Sequence, residues 1–353
     1  MPASTAHDRA ADRIALLCGT HDDERSLRAA VVEEIRRALG VDAYGWILTD
    51  PETEVGGSPL AAMPCLPELP RLIRLKYLTT VNRWTQLDPP FVARLRAATD
   101  DQPERSLLWR ELLSAYDVVD VASMVLRDRY GCWSFIDLWR ITPAEAFSSE
   151  DETFLAGIAP DLCKAIRRCH ARTFDGAAAE HPGGGPAVLM LSPDLQVRVQ
   201  THETKEYLHR LLPTDADRQP IPAAAYNVAA QLLAVEAGVD DHPATARVHL
   251  AGGLWVTFRA ARIGEPDATD ADIAVTIEPT RPTERLSLFV RSFGLSDREA
   301  ELVGHLADGA DTHQIAAAMF VSENTVQDHL KSIFARTGAR NRRTLLATLR
   351  GGK

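Results

Sequence analysis

The strongest constraint on this chain is a run of helix punctuation near its C-terminal end. Ser296 and Glu299 have capping-box spacing, in which each side chain satisfies a backbone N–H of the other's residue. Gly309 stops the helix they open. Thr312 or Asp311 caps a second helix that turns Ile315 and Met319 inward. Ala316, Ala317 and Ala318 leave room there for a crossing helix. Phe320 and Val321 form a turn, and Ser322 caps a third helix, with Val321 and Val326 at hydrophobic-staple positions. Val326, Leu330, Ile333 and Phe334 share one face of that helix. Asn324, Asp328, Lys331 and Ala335 lie opposite, with Gln327 at the edge. Gly338 closes it, and Arg342 and Arg343 begin a fourth helix carrying Leu345, Leu346 and Leu349.

Two helices joined by a short turn, the second with a polar face, form a helix-turn-helix. The helix Glu323–Thr337 then fits the major groove of duplex DNA, its N-terminus favouring a phosphate. Gln can pair with adenine, Lys with guanine, and Asp can accept from cytosine. Charge alone allows a plain solvated face instead. That reading must also explain two capped helices, a short turn and an apolar fourth helix. The net charge of −10 is unevenly spread. Residues 321–353 hold seven basic residues against Glu323 and Asp328, so that end is +5 and the rest −15. A basic end on an acidic body suits a DNA-reading module, which the body could shield when docked.

The segment resembles the LuxR-type DNA-binding domain. The resemblance rests on L-S-x-R-E from Leu295, I-A at 315–316, V-S-E-N-T-V-x-x-H at 321–329, and the T-G and R positions near 337–343. It implies that Gln327, Asp328 and Lys331 face bases and that Ser322, Thr325 and Arg343 hold phosphates. It also implies that the fourth helix pairs two subunits into a homodimer. Asn324 on the same face and Arg342 beside Arg343 complete the candidate DNA-binding set.

The remaining chain divides into residues 1–175 and 185–280, with the third segment at 285–353. The stretch HPGGGP (181–186) has linker composition, and EPTRPTER (278–285) carries two prolines that would let the end move. No sequence repeat is visible. In the first segment Leu27, Val31, Ile35 and Leu39 mark a helix stopped by Gly40, and YGWIL (44–48) reads as a strand. Leu69, Leu72, Ile73 and Tyr77 mark another helix. Residues 119–126 and 132–139 make a hairpin, and Ser149 with Glu152 caps a long helix. The runs GCWSFIDLWR (131–140) and FSSEDETFLAGIAPDLCKAI (147–166) resemble the end of a GAF domain. In the second segment, strands at 187–192 and 195–199 lead into a helix at 201–212. Strands at 244–250, 254–260 and 272–277 follow, with Ala251-Gly252-Gly253 between the first two. This order resembles a PAS domain, although Thr201-His202 stands where many PAS domains place Asn. The expected fold class is therefore α+β and multidomain. Two α/β sensor domains, GAF-like and PAS-like, precede an all-α four-helix helix-turn-helix domain.

Five cysteines, without CxxC spacing, argue against a disulfide framework or metal site and suit a reducing cytoplasm. No secretory leader stands at the N-terminus. The apolar stretch from Ile221 to Val235 is too short and polar to span a bilayer. GGG at 183–185 lacks the Lys-Ser/Thr of a phosphate loop, and no catalytic constellation or cofactor motif stands out, so an enzyme is not expected. A phosphorylation-controlled receiver would need an acceptor Asp and a later Lys. Asp22-Asp23 and Asp50-Pro51 offer only Lys76 and Lys164. Trp84 followed by Asp88-Pro89 resembles the pocket pattern of acyl-homoserine-lactone receptors, which share this DNA-binding domain. A pocket lined by Tyr77, Trp84, Trp133 or Phe135 would hold a small molecule that the sequence does not name. The same aromatics also read as core.

Overall fold

The hairpin expected at 119–139 is the spine of the first unit. In this computed structural model, which describes residues 3–175, 185–211, 222–250, 254–264 and 270–350, β4 (Val118–Asp128) pairs antiparallel with β5 (Gly131–Ile141). β1 (Ala43–Thr49) lies on the other side of β5, with β2 (Gly56–Ala62) beyond it, and β3 (Val92–Arg94) completes the order β2-β1-β5-β4-β3. Both faces of this sheet are covered, so β4 and β5 are buried almost throughout rather than alternating. One face carries α1 (Ala3–Thr20), α2 (Glu24–Leu39) and α6 (Ser149–Arg172). Leu27, Val31 and Ile35 of α2 and Phe154, Ile158, Leu162 and Ile166 of α6 pack there. The other face carries α3 (Leu69–Leu78), the short helices α4 (Leu95–Ala98) and α5 (Leu107–Glu111), and a helix of the second unit.

The second unit repeats this strand order. β6 (Ala187–Leu191), β7 (Val197–Gln200), β8 (Thr245–Leu250), β9 (Leu254–Arg262) and β10 (Ile273–Pro279) form an antiparallel sheet ordered β7-β6-β10-β9-β8. The 2-1-5-4-3 pattern is common to both sheets, a structural repeat that no sequence similarity announces. α7 (His202–Leu211) follows β7, and α8 (Ala223–Glu236) packs between the two units. α8 is buried nearly all round because it touches its own sheet on one side and α3 and β2 on the other. Most of the HPGGGP stretch and all of Ala251-Gly252-Gly253 lie outside the described residues.

Buried ion pairs join the units. The Arg247 guanidinium donates to both oxygens of Asp50, at 2.6 and 2.7 Å, and both side chains are inaccessible. Burial alone would raise the Asp50 carboxyl, yet the hydrogen bonds and charge of Arg247 hold it below its ordinary value. Arg83 pairs with Asp240 by donating through Nε and Nη2 to its Oδ2, which also accepts from Thr85 at 2.8 Å.

The proline-bearing stretch expected to be a mobile linker is the start of a helix, α9 (Pro282–Phe293). Pro282 sits in its first turn, where its missing N–H costs nothing. The helix is fastened to both units. Arg247 Nη1 donates to the Glu284 carbonyl at 3.0 Å, Ser287 Oγ to Glu52 at 2.7 Å, and Arg291 Nη1 to the Tyr130 carbonyl at 2.8 Å. Gly294 closes α9 with φ +63°. A Cβ there would come within 2.6 Å of Arg167 Nη1 and 3.1 Å of the Tyr130 ring. Among the described residues no helix is long and apolar enough to cross a membrane.

Candidate nucleic-acid interface

Four helices follow Gly294: α10 (Asp297–Ala307), α11 (Thr312–Met319), α12 (Glu323–Thr337) and α13 (Arg342–Arg350). Their caps explain their limits. Ser296 and Glu299 form the expected capping box. Asp311 rather than Thr312 caps α11, in a second box with Gln314. Ser322 accepts from the Thr325 N–H at 3.1 Å and opens α12. Gly338 ends α12 in the left-handed region. Leu302, Val303, Leu306, Ile315, Met319, Val326, Leu330 and Ile333 fill the core between the helices.

One contact at this site was not legible in the sequence. The Glu299 carboxylate, buried at the start of α10, also accepts from Ser332 Oγ of α12 at 2.6 Å. Burial would raise its pKa, but the Ser296 and Ser332 hydrogen bonds and Arg336 hold it lower. Arg336 Nη1 donates to the Gly294 carbonyl at 2.8 Å. A capping acid thus fixes the angle of the helix that presents the polar face.

That face is open. Ser322, Asn324, Gln327, Asp328 and Lys331 are exposed and Thr325 is half-buried, so no described residue of the two preceding units covers this face of α12. Lys331 Nζ lies 2.9 Å from Asp328 Oδ1, and the Ser322 and Thr325 hydroxyls are 2.9 Å apart. Arg343 is exposed at the start of α13, while Arg342 leans back and donates to Thr312 Oγ1 at 2.6 Å. Phe320, in the turn, is 95% exposed with φ +55°.

Residues 294–348 match the family described as "Bacterial regulatory proteins, luxR family". They form a luxR-family helix-turn-helix domain. Over 48 residues the chain is 42% identical to the "CsgBAC operon transcriptional regulatory protein" of Escherichia coli. It is equally similar to the "Probable csgAB operon transcriptional regulatory protein" of Salmonella typhimurium. The alignment covers 14% of this chain and 22% of each relative, so the chain spans about a fifth of the length of the curated relatives it matches.

α13 of the luxR-type domain is committed within the chain. Leu345 and Leu349 are buried in the domain core, and Arg285 Nε of α9 donates to the Leu349 carbonyl at 2.7 Å. Leu346 alone of the three leucines is partly exposed.

The aromatic candidates for a ligand pocket separate into two places. Tyr77 and Trp84 line a cavity of about 60 Å³ between the first sheet, α3 and α8, and Phe135 stacks on Trp84 with ring centroids 4.6 Å apart. Trp133 lies on the opposite face of the sheet, against His170 of α6. Residues two apart in a strand normally share a face, but β5 carries a bulge here. Ser134 pairs with Leu126 and Cys132 with Arg127, leaving Trp133 as the extra residue. The cavity also holds a polar cluster that sequence reasoning missed. Asp137 accepts from Lys76 Nζ at 3.0 Å, Ser123 Oγ at 2.6 Å and Trp84 Nε1 at 3.0 Å. Burial lowers the Lys76 pKa and the Asp137 charge opposes that. The signals available were Asp137 within the largely apolar run of β5 and Lys76 beside Tyr77 on a helix that also carries Arg71 and Arg74.

Proposed function

We propose that this chain is a DNA-binding transcription regulator that reads the major groove through α12. The observation that carries the proposal is the uncovered polar face of α12 within a luxR-family domain. Gln327, Asp328 and Lys331 face base edges in this reading, with Asn324 beside them. Ser322, Thr325 and Arg343 meet phosphates, and Arg342 supports the α11 terminus. A homodimer on double-stranded DNA follows, with Leu346 as the available apolar contact. The printed role of the csgAB relatives, transcriptional regulation of an operon, agrees with it. Such a protein works in the cytoplasm and needs neither metal nor cofactor for reading.

The two preceding units act as sensors, GAF-like at 1–175 and PAS-like at 185–280, and α9 carries their state to the luxR-type domain. The shared 2-1-5-4-3 strand order and the α9 contacts support this. A small molecule in the Tyr77–Trp84 cavity is the favoured input. An acyl-homoserine-lactone-type receptor is the second reading, supported by Trp84 and Asp137 together in that cavity. A phosphorylated receiver is disfavoured, because both sheets are antiparallel and Asp50 is locked to Arg247.

The test is anisotropy of labelled duplex DNA with the full chain across a salt series. The logarithm of the binding constant falls linearly with log salt, and the N324A/Q327A/K331A variant loses binding while keeping its circular dichroism. Unchanged binding by that variant overturns the proposal.

A further inference from the structure

Three buried nitrogen atoms, on residues that line one cavity, have no hydrogen-bond partner among the described residues. They are His170 Nδ1 on α6, His249 Nε2 on β8 and Trp255 Nε1 on β9. His170 and Trp255 are more than nine-tenths buried. All three residues line a cavity of about 50 Å³ where the two sensor units meet. Their rings are neighbours: the Trp255 centroid is 5.3 Å from that of His249 and 5.7 Å from that of His170. Buried polar atoms are nearly always satisfied, and three orphans around one space point to an occupant.

The donor set defines the occupant's chemistry. An indole N–H can only donate, and a neutral imidazole can present its proton from either nitrogen. Burial keeps both histidines neutral, with His170 lowered to about 4 and His249 to about 3. The charges that act on the two rings are Arg28 from α2, Arg285 from α9 and Asp50. Arg28 is paired with Glu24, which also lines the cavity, and Arg247, lining it too, is paired with Asp50 and Glu52. Arg285 lies over the Phe174 ring and donates to the Leu349 carbonyl. The cavity has room for more than one water molecule.

We propose that this cavity binds a small oxyanion of carboxylate size, which accepts hydrogen bonds from Trp255 Nε1, His249 Nε2 and His170 Nδ1. The site adjoins the helix that leads to the luxR-type domain. Trp255 stacks on Phe174 at 5.8 Å, and Phe174 meets Phe289 of α9 edge-on at 5.3 Å. Binding here does not depend on whether α12 reads DNA.

The test uses the full chain labelled with ¹⁵N and titrated with acetate at constant ionic strength. Trp255→Phe identifies the Trp255 indole resonance, and ethanol serves as a control without an oxyanion. The expected result is a saturable downfield shift of that resonance with acetate and none with ethanol. Calorimetry should show acetate binding weakened about tenfold or more in Trp255→Phe and in His249→Leu, each losing one charge-assisted hydrogen bond because the new side chain carries no donor. A shift that never saturates, an equal response to ethanol, or undiminished acetate affinity in both variants overturns the proposal and leaves ordered water as the occupant.

Discussion

Lys331 Nζ lies 2.9 Å from the Asp328 carboxylate, one turn away on the exposed face of α12. Both side chains are about three-quarters exposed, so the pair is weak in water and free to part on DNA. Lys331→Ala should weaken binding and reduce the salt slope by about one unit if the lysine meets a phosphate. If it reads a guanine, the loss concentrates at one base position. Asp328→Ala should release Lys331, raise affinity for unrelated duplexes and blur base discrimination. Anisotropy across a salt series measures both effects.

α13 gives a prediction that separates core from surface. Leu346→Glu should abolish cooperative occupation of an inverted repeat while the chain stays folded, because Leu346 is partly exposed. Leu345→Glu places a charge in the core of the domain and should unfold it, as Leu345 is fully buried. Gel shift on one and two half-sites, with circular dichroism, distinguishes the outcomes.

The junction between the units predicts a stability effect. Asp50→Ala leaves the Arg247 guanidinium buried without its main partner and should cost about 3–5 kcal/mol. Asp50→Asn, which keeps an acceptor, should cost less. Urea denaturation followed by tryptophan fluorescence reports both, and an unchanged midpoint in Asp50→Ala would remove the pair from the account of the interface.

His170 and His249 make stability depend on pH. Their folded pKa values, about 4 and about 3, lie below the ordinary 6.5, so the unfolded chain binds protons that the folded chain refuses. Their contribution is fully present above pH 6.5 and is lost progressively as pH falls towards 4 and then 3. The melting temperature should therefore drop between pH 6.5 and 4, and less steeply in His249→Gln.

The C-terminal domain was legible in the sequence because its signals are local. Caps at Ser296 and Ser322, the Gly338 stop and a 3.6-residue apolar period each act within one or two turns. The limits expected for α12, Glu323–Thr337, are those observed. The cap of α6 was misplaced by one residue, since Ser148 with Asp151 closes the box where Ser149 with Glu152 had been expected. Both pairs have the required spacing, and only packing separates them. β2 escaped notice because GGSPLAA has turn composition, although pairing with β1 makes it a strand. α9 was read as a linker from its prolines, but one of them starts a helix whose Phe289 is buried against Phe174. The ligand aromatics were misgrouped because a bulge at Trp133 is set by strand pairing, which no local pattern encodes.

Selection of bound duplexes from a random pool, with the full chain and with Gln327→Ala, is the most direct test of α12 as the reading element. The account predicts an enriched inverted repeat for the full chain, with preference lost at one position of each half-site in the variant. Arg343→Ala should lower binding evenly across sequences. Failure to enrich any motif, or an identical motif from Gln327→Ala, would contradict it.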